Sequence, residues 1–253
     1  MEIKKYFKLF VSLLSTDSVV RHAAKYELIK WIVNGSGFRV YNKNLIWIND
    51  EEFINLKSKF TGSESKQIHE RKFNLYNLAK SIQNIQGDTA ECGVFKGESS
   101  YYILCANLDK NKTHHVFDSF GGLSKPDKVL DVVNDKTAYS WGENDLSISL
   151  EVVKENLKLF KNVNYYKGWI PSRFKEIENK EFSFVHIDVD LFQPTYDSLL
   201  FFYDRLNQGG IMLCDDYGFS TCPGAKKAFD EVVKDKFENI IHLTTGQGFI
   251  IKQ

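Results

Sequence analysis

The 253 residues are enough to bury a substantial core without disulfide or metal staples. Lysine plus arginine number 33 and aspartate plus glutamate number 33, so the net charge is zero, which counts against a general phosphate-backbone binder, a polybasic membrane anchor and an acidic disordered tail. With 43% hydrophobic and 14% aromatic residues the chain reads as ordered and globular, and its four cysteines, Cys92, Cys105, Cys214 and Cys222, lack C-x-x-C spacing and read as buried free thiols.

At the N-terminus Lys4, Lys5 and Lys8 lead into the apolar run Leu9 to Leu14, which is too short for a secretory segment and has no small-residue cleavage site before Arg21. No stretch of about 18 uncharged apolar residues occurs, so no membrane-spanning helix is expected and the protein is placed in the cytoplasm. Residues 1–65 read as a helical N-terminal extension or cap packed on the core, and 66–253 as the main domain. Phe7, Phe10, Val11 and Leu14 recur at i, i+3, i+4, i+7, and Leu28, Trp31 and Ile32 continue an apolar face. Phe38 to Asp50 reads as a short hairpin or loop. Residues 66–85 carry another helical pattern with Phe73, Leu75, Tyr76, Leu78 and Ile82.

From residue 88 strand-like runs alternate with helical stretches. The strands are Thr89–Cys92, His115–Phe117, Val163–Tyr166, Phe182–Ile187 and Ile211–Cys214; helices are expected near 98–108, 147–160, 194–207 and 222–234. This alternation predicts right-handed crossovers and an α/β fold, a doubly wound, mostly parallel sheet covered on both faces. Ile240–Leu243 and Phe249–Ile251 then flank Thr244–Gly248 with no room for a crossover helix. They form an antiparallel hairpin and bring the expected strands to seven.

In such sheets ligands bind beyond the carboxyl ends of the strands, near the point where strand order reverses. The first strand runs into Glu91–Ser99, where Gly93 and Gly97 suit a tight turn beside a ligand and a close-packed helix; an ordinary structural turn needs the same glycines. The second ends at Asp118, 27 residues after Glu91. A carboxylate there can accept both ribose hydroxyls of an adenosine cofactor, or can simply sit solvated in a loop. Trp169, at the end of the third strand, can cover an adenine ring or serve as a rim tryptophan.

The strongest constellation is His186-Ile187-Asp188-Val189-Asp190 at the end of one strand and Cys214-Asp215-Asp216 at the end of the next. Alternation would put Asp188 and Asp190 on one side of an extended segment. Concentrated carboxylates repel unless a cation or paired bases neutralise them, and oxygen ligands without a Cys/His set favour magnesium, manganese or calcium over zinc. Helix N-capping by Asp190 and Asp216 is the competing account, which explains one carboxylate each and not the surplus. His186 itself reads as a satisfied core residue. A nucleophile elbow and a P-loop are both missing, so hydrolase and P-loop readings drop out.

Taken together, Glu91-Cys92-Gly93-Val94-Phe95-Lys96-Gly97, Phe117-Asp118-Ser119-Phe120-Gly121-Gly122-Leu123, Lys167-Gly168-Trp169, Asp188-Val189-Asp190-Leu191-Phe192 and Gly209-Gly210 leading to Asp215-Asp216-Tyr217 resemble the macrocin/mycinamicin O-methyltransferase family, related to catechol O-methyltransferase. The resemblance covers roughly residues 70–251. It implies the Rossmann-like fold of class I methyltransferases and an S-adenosylmethionine- and magnesium- (or manganese-) dependent O-methyltransferase acting on a sugar hydroxyl. Carried over by position, the cofactor would be held by Glu91, Gly93, Val94, Phe95, Gly97 and Ser99 after the first strand. Asp118 and Ser119 after the second strand, with Gly168 and Trp169 after the third, would complete that site. Asp188, Asp215 and Asp216 would hold the metal. Where the catechol enzymes place a lysine, this chain has Leu191, and the resemblance shifts the general base to Asp190. The implied partner is a small sugar-containing acceptor rather than nucleic acid or membrane, and the implied assembly is a homo-oligomer.

The segments 1–60 and Ser124–Asp145 match less clearly and would form acceptor pocket, lid or subunit contacts, with Tyr139 and Trp141 as candidate sugar-stacking residues. Two competing classes are a nicotinamide-dependent oxidoreductase, disfavoured by the incomplete G-x-G-x-x-G and the terminal hairpin, and a non-catalytic binding protein, disfavoured by the four aspartates.

Overall fold

The computed structural model describes residues 2–33, 46–60, 62, 69–108, 110–134 and 139–253. Most of the expected hairpin or loop at 38–50 lies outside them; of that segment Ile46–Ile48 form one 3-10 turn. The chain divides into two compact units, Met1–Ile46 and Trp47–Gln253.

In the first unit α1 (Glu2–Leu13) and α2 (Ser18–Ile32) pair as a helical hairpin. Asp17 starts α2 by accepting from the Val19 N–H at 2.8 Å, and Arg21 Nη1 ties back to the Ser15 carbonyl at 2.6 Å. The i, i+3, i+4, i+7 set of α1 did mark a helix, but Phe7, Phe10, Val11 and Leu14 are all exposed.

The second unit begins at Trp47. Asp50 caps α3 (Glu51–Lys59) by accepting from the Phe53 N–H at 2.8 Å, and this helix drives Phe53 fully into the main core. There Phe53 stacks on Tyr102 at 5.1 Å and meets Phe73 edge-on at 5.2 Å. Residues 47–60 therefore belong with the sheet unit.

Seven strands form one sheet in the order β3-β2-β1-β4-β5-β7-β6: β1 (Asp88–Cys92), β2 (His114–Asp118), β3 (Val163–Lys167), β4 (Phe182–Ile187), β5 (Leu206–Cys214), β6 (Ile241–His242) and β7 (Gly248–Ile251). The first five are parallel; β7 runs antiparallel to β5 and to β6. Order reverses between β1 and β4, so their carboxyl ends make the crevice. The helices are α4 (His69–Ser81), α5 (Glu98–Ala106), α6 (Leu150–Asn156), α7 (Phe192–Tyr203) and α8 (Pro223–Val233).

Two boundaries moved. Residues 204–207 are not helical, because β5 begins at Leu206. Its Gly209 takes a positive φ of 80°, and Gly209 and Gly210 exchange backbone hydrogen bonds with Lys252 at 2.9 Å each. Among 147–160, the helix itself spans only Leu150–Asn156 and starts where Ser149 accepts from the Val152 N–H at 3.4 Å.

Period-two alternation sorts the strands onto two cores. Ala90, Cys92, Phe117, Val185, Ile187, Met212 and Cys214 pack with α7 and α8, whereas Val116, Phe184, Ile211 and Leu213 pack with α3, α4 and α5. Glu91, His186 and Asp215 share the parity of the second set, which decides how the site is built.

Candidate active site

Beyond the β1 and β4 ends lies a cavity of about 470 Å³. Gly93 lets the two strand ends close up: its φ is +80°, and a Cβ there would sit 1.9 Å from the Asp188 carbonyl oxygen. Gly93, Val94 and Phe95 line the cavity from the β1–α5 turn, Ser99 from the start of α5, Asp118 from β2, and Trp169, 51% exposed, from the turn after β3. Asp118 is held in place by the backbone, accepting from the Val94 N–H at 2.8 Å and the Phe120 N–H at 2.6 Å. Burial raises its pKa against the pull of those donors. These residues fit an adenosyl cofactor: a close backbone approach, a fixed carboxylate and an indole at the rim.

Four expected cofactor residues do not line the cavity: Glu91, Gly97, Ser119 and Gly168. Strand parity turns Glu91 beneath α5, where it accepts from Ser100 Oγ and lies 2.8 Å from His186 Nδ1. Gly97 is the left-handed N-cap of α5, and Ser119 Oγ is spent on the Gly122 carbonyl at 2.8 Å.

All four aspartates reach the cavity, but as two groups. Ligand atoms of His186, Asp188 and Asp215 cluster together, and those of Asp190, Asp216 and Cys222 form a second cluster. The extended segment expected through Asp190 stops short, because β4 ends at Ile187 and Asp190 has a φ of +59°. That turn swings Asp190 from the side of Asp188 to that of Asp216, whose carboxylate accepts the Asp190 N–H at 3.3 Å. Neither Asp190 nor Asp216 caps a helix. The Phe192 N–H at the start of α7 is taken by Asp131 at 2.8 Å, and α8 has Cys222 at its N-cap and Pro223 as its first residue. A Cβ at Gly224 would fall 1.8 Å from that Asp131 oxygen, so a glycine there lets Asp131 reach α7.

Counter-charges come from Arg71, which the sequence patterns did not single out, and from His186, which they read as a core residue. Arg71, on α4, pairs with Asp215, lies 3.5 Å from Asp216, and stacks on Phe219 at 4.5 Å. His186, fully buried, bridges Glu91 and Asp215, with Nε2 3.3 Å from Asp215 Oδ1. Burial works against its charge, but those two carboxylates raise its pKa to about 9. Gln247 donates to Asp215 at 2.6 Å. Burial opposes ionisation of Asp215 too, yet Arg71 and His186 outweigh it and hold that carboxyl well below the usual range. Burial and the Asp188 charge instead push Asp190 up to about 7. Burial, with the charges of Asp190 and Asp188, also raises Asp216 well above the usual carboxylate range.

The donor set fits a hard divalent ion. His186 Nδ1 is held by Glu91 at 2.8 Å, and its Nε2 faces Asp215 Oδ1 at 3.3 Å as an ion pair. The Cys222 thiol is pushed up by burial, receives the Trp141 indole N–H at 3.3 Å and donates to Asp190 at 3.3 Å. What remains for a cation are carboxylate oxygens, suited to magnesium or manganese rather than zinc. Trp141 lines the cavity, but Tyr139, edge-on to it at 5.6 Å, does not. The signal for Arg71 was a cation in the first turn of a helix that leads into the motif region, where charges are ordinarily solvated.

The sequence pattern of the macrocin-O-methyltransferase (TylF) family matches residues 68–244. The chain belongs to this family. Among curated relatives, demethyldecarbamoylnovobiocin O-methyltransferase of Streptomyces niveus is 29% identical over 169 residues, 64% of this chain and 63% of that protein. The 8-demethyl-8-(2,3-dimethoxy-alpha-L-rhamnosyl)-tetracenomycin-C 4'-O-methyltransferase of Streptomyces olivaceus is 27% identical over 148 residues, 56% of this chain and 57% of that protein. The chain thus matches less than two thirds of the length of these curated relatives. Of solved structures, the O-methyltransferase NovP superposes with a TM-score of 0.58 at 25% identity, covering 72% of this chain and 79% of its own. The calicheamicin methyltransferase CalS11 reaches 0.62 at 14% identity over 94% of each chain, a likeness of fold.

Proposed function

We propose that this macrocin-O-methyltransferase family member transfers a methyl group from S-adenosylmethionine to a sugar hydroxyl, assisted by a divalent cation. The observation that carries this reading is the convergence of Asp188, Asp190, Asp215 and Asp216 on the same cavity as Gly93 and Asp118. The two curated relatives, one named for a rhamnosyl-bearing acceptor, favour a sugar-containing small molecule. Asp118 would bind the ribose and the Gly93–Phe95 backbone the rest of the nucleoside, with Trp169 covering the adenine. Asp188, Asp215 and Asp216 would hold magnesium or manganese. When bound, these groups supply an electrophilic methyl and a Lewis acid that lowers the acceptor hydroxyl's pKa.

The chain's own residues do the rest. Asp190 takes the proton from the acceptor hydroxyl, and the Cys222 thiol with Trp141 behind it fixes the carboxylate that does so. Arg71 and His186 keep Asp215 ionised and oriented. Trp141 walls the cavity on the acceptor side and limits water there.

The test is incubation with S-adenosylmethionine and a panel of rhamnosides and other glycosides, with products read by mass spectrometry. A product one methylene heavier, with the new group on a sugar oxygen, is expected. Methylation only of nitrogen or of a phenol, or no methylation of any acceptor together with no affinity for the cofactor, would contradict the proposal.

A further inference from the structure

The corner of the cavity between α4 and α5 holds a charge that the acidic cluster does not explain. Lys72 is only 8% exposed and lines the cavity, yet its ammonium donates to a neutral partner, Ser99 Oγ. An ammonium has three protons to give, and a buried one ordinarily has an anionic partner. Among the described residues Lys72 makes no ion pair; it acts on Asp215 only as a longer-range charge.

Ser99 is the second residue of α5, a nine-residue helix whose N-cap, Gly97, has no side chain to accept from the first turn. The positive end of that helix, which carries Glu98 in its first turn, and a buried ammonium therefore meet on the cavity wall. Both favour an anion. The adenosyl cofactor carries one anionic group, the carboxylate of its amino-acid tail, and Asp118 is already suited to the opposite, hydroxyl-bearing part of the molecule.

We infer that Lys72, with Ser99, anchors the cofactor's carboxylate, an inference that rests on the cofactor reading above. Lys72 thereby sets how the tail, and with it the sulfur, is seated in the cavity.

Calorimetric binding of S-adenosylhomocysteine and of its decarboxylated analogue, S-adenosyl-3-thiopropylamine, to the wild-type chain and to Lys72→Met gives a double-mutant cycle. The wild type should lose about 10- to 100-fold in affinity when the carboxylate is absent, the range of a charge-assisted hydrogen bond. Lys72→Met should lose a similar factor for S-adenosylhomocysteine and less than about twofold for the analogue. Equal losses for both ligands, as expected if Lys72 serves only to balance Asp215, would overturn the inference. So would a wild type that binds both ligands equally well, a result that needs no variant to fold. A wild type that binds neither ligand would overturn the cofactor reading itself, and this inference with it.

Discussion

Arg71 and Asp190 illustrate how single side chains divide stability from chemistry. Arg71 is a mostly buried cation against mostly buried carboxylates, and removing one partner of such a pair strands the other. Arg71→Met should lower the melting temperature by on the order of 10 °C in chelator, with a smaller deficit when magnesium supplies the missing charge. Equal deficits in both conditions would show that no cation shares the Arg71 environment. Asp190 lies in a cluster of like charges and gains little from being ionised there. Asp190→Asn should therefore leave the melting temperature unchanged or slightly higher while kcat falls by about 10²- to 10⁴-fold. Retention of full turnover would remove Asp190 from the role of base.

At the scale of elements, α3 decides where the sheet unit begins. Phe53, fully buried against Tyr102 and Phe73, ties it to α4 and α5. Phe53→Ala should cost about 3–5 kcal/mol in denaturant unfolding. A chain starting at Trp47 should still unfold cooperatively, whereas one starting at residue 66 should not; the reverse would favour a boundary at residue 65. The start of α7 depends on a residue far away in sequence, so Asp131→Ala should cost about 0.5–2 kcal/mol although Asp131 is outside every strand and helix.

These elements also show what was legible in the sequence. The strands were, because Phe182–Ile187 and its counterparts are short apolar runs between polar ends, and the final hairpin followed from its five-residue spacing. The strand-end aspartates were legible for the same reason. Their grouping was not, since it turns on one left-handed residue, Asp190, whose identity does not announce a positive φ. Arg71, Lys72 and Asp131 act across 60 or more residues or from inside a helix, and local pattern carries no trace of such contacts.

For the molecule as a whole, zero net charge averages over a strongly acidic cavity and its buried cations. Next to Glu91, and joined to it through Ser100, lies a buried neutral histidine. His114 lies 2.8 Å from Thr89 Oγ1 and 2.9 Å from Ser100 Oγ, and burial, with His115 and His186 nearby, lowers its pKa to about 3. The unfolded chain takes up a proton near pH 6.5 that the folded chain refuses until about 3, so stability should fall as pH falls through that window. The expected slope from this group is about 1.4 kcal/mol per pH unit, and His114→Asn should flatten it. An unchanged slope would mean that acid sensitivity arises elsewhere.

The measurement that bears most directly on the central claim is methyl transfer to a sugar acceptor by the wild-type chain, first stripped with chelator and then titrated with magnesium. The carboxylate cluster predicts loss of turnover on stripping, recovery on adding the ion, and no recovery in Asp188→Ala. Full turnover in excess chelator would contradict it.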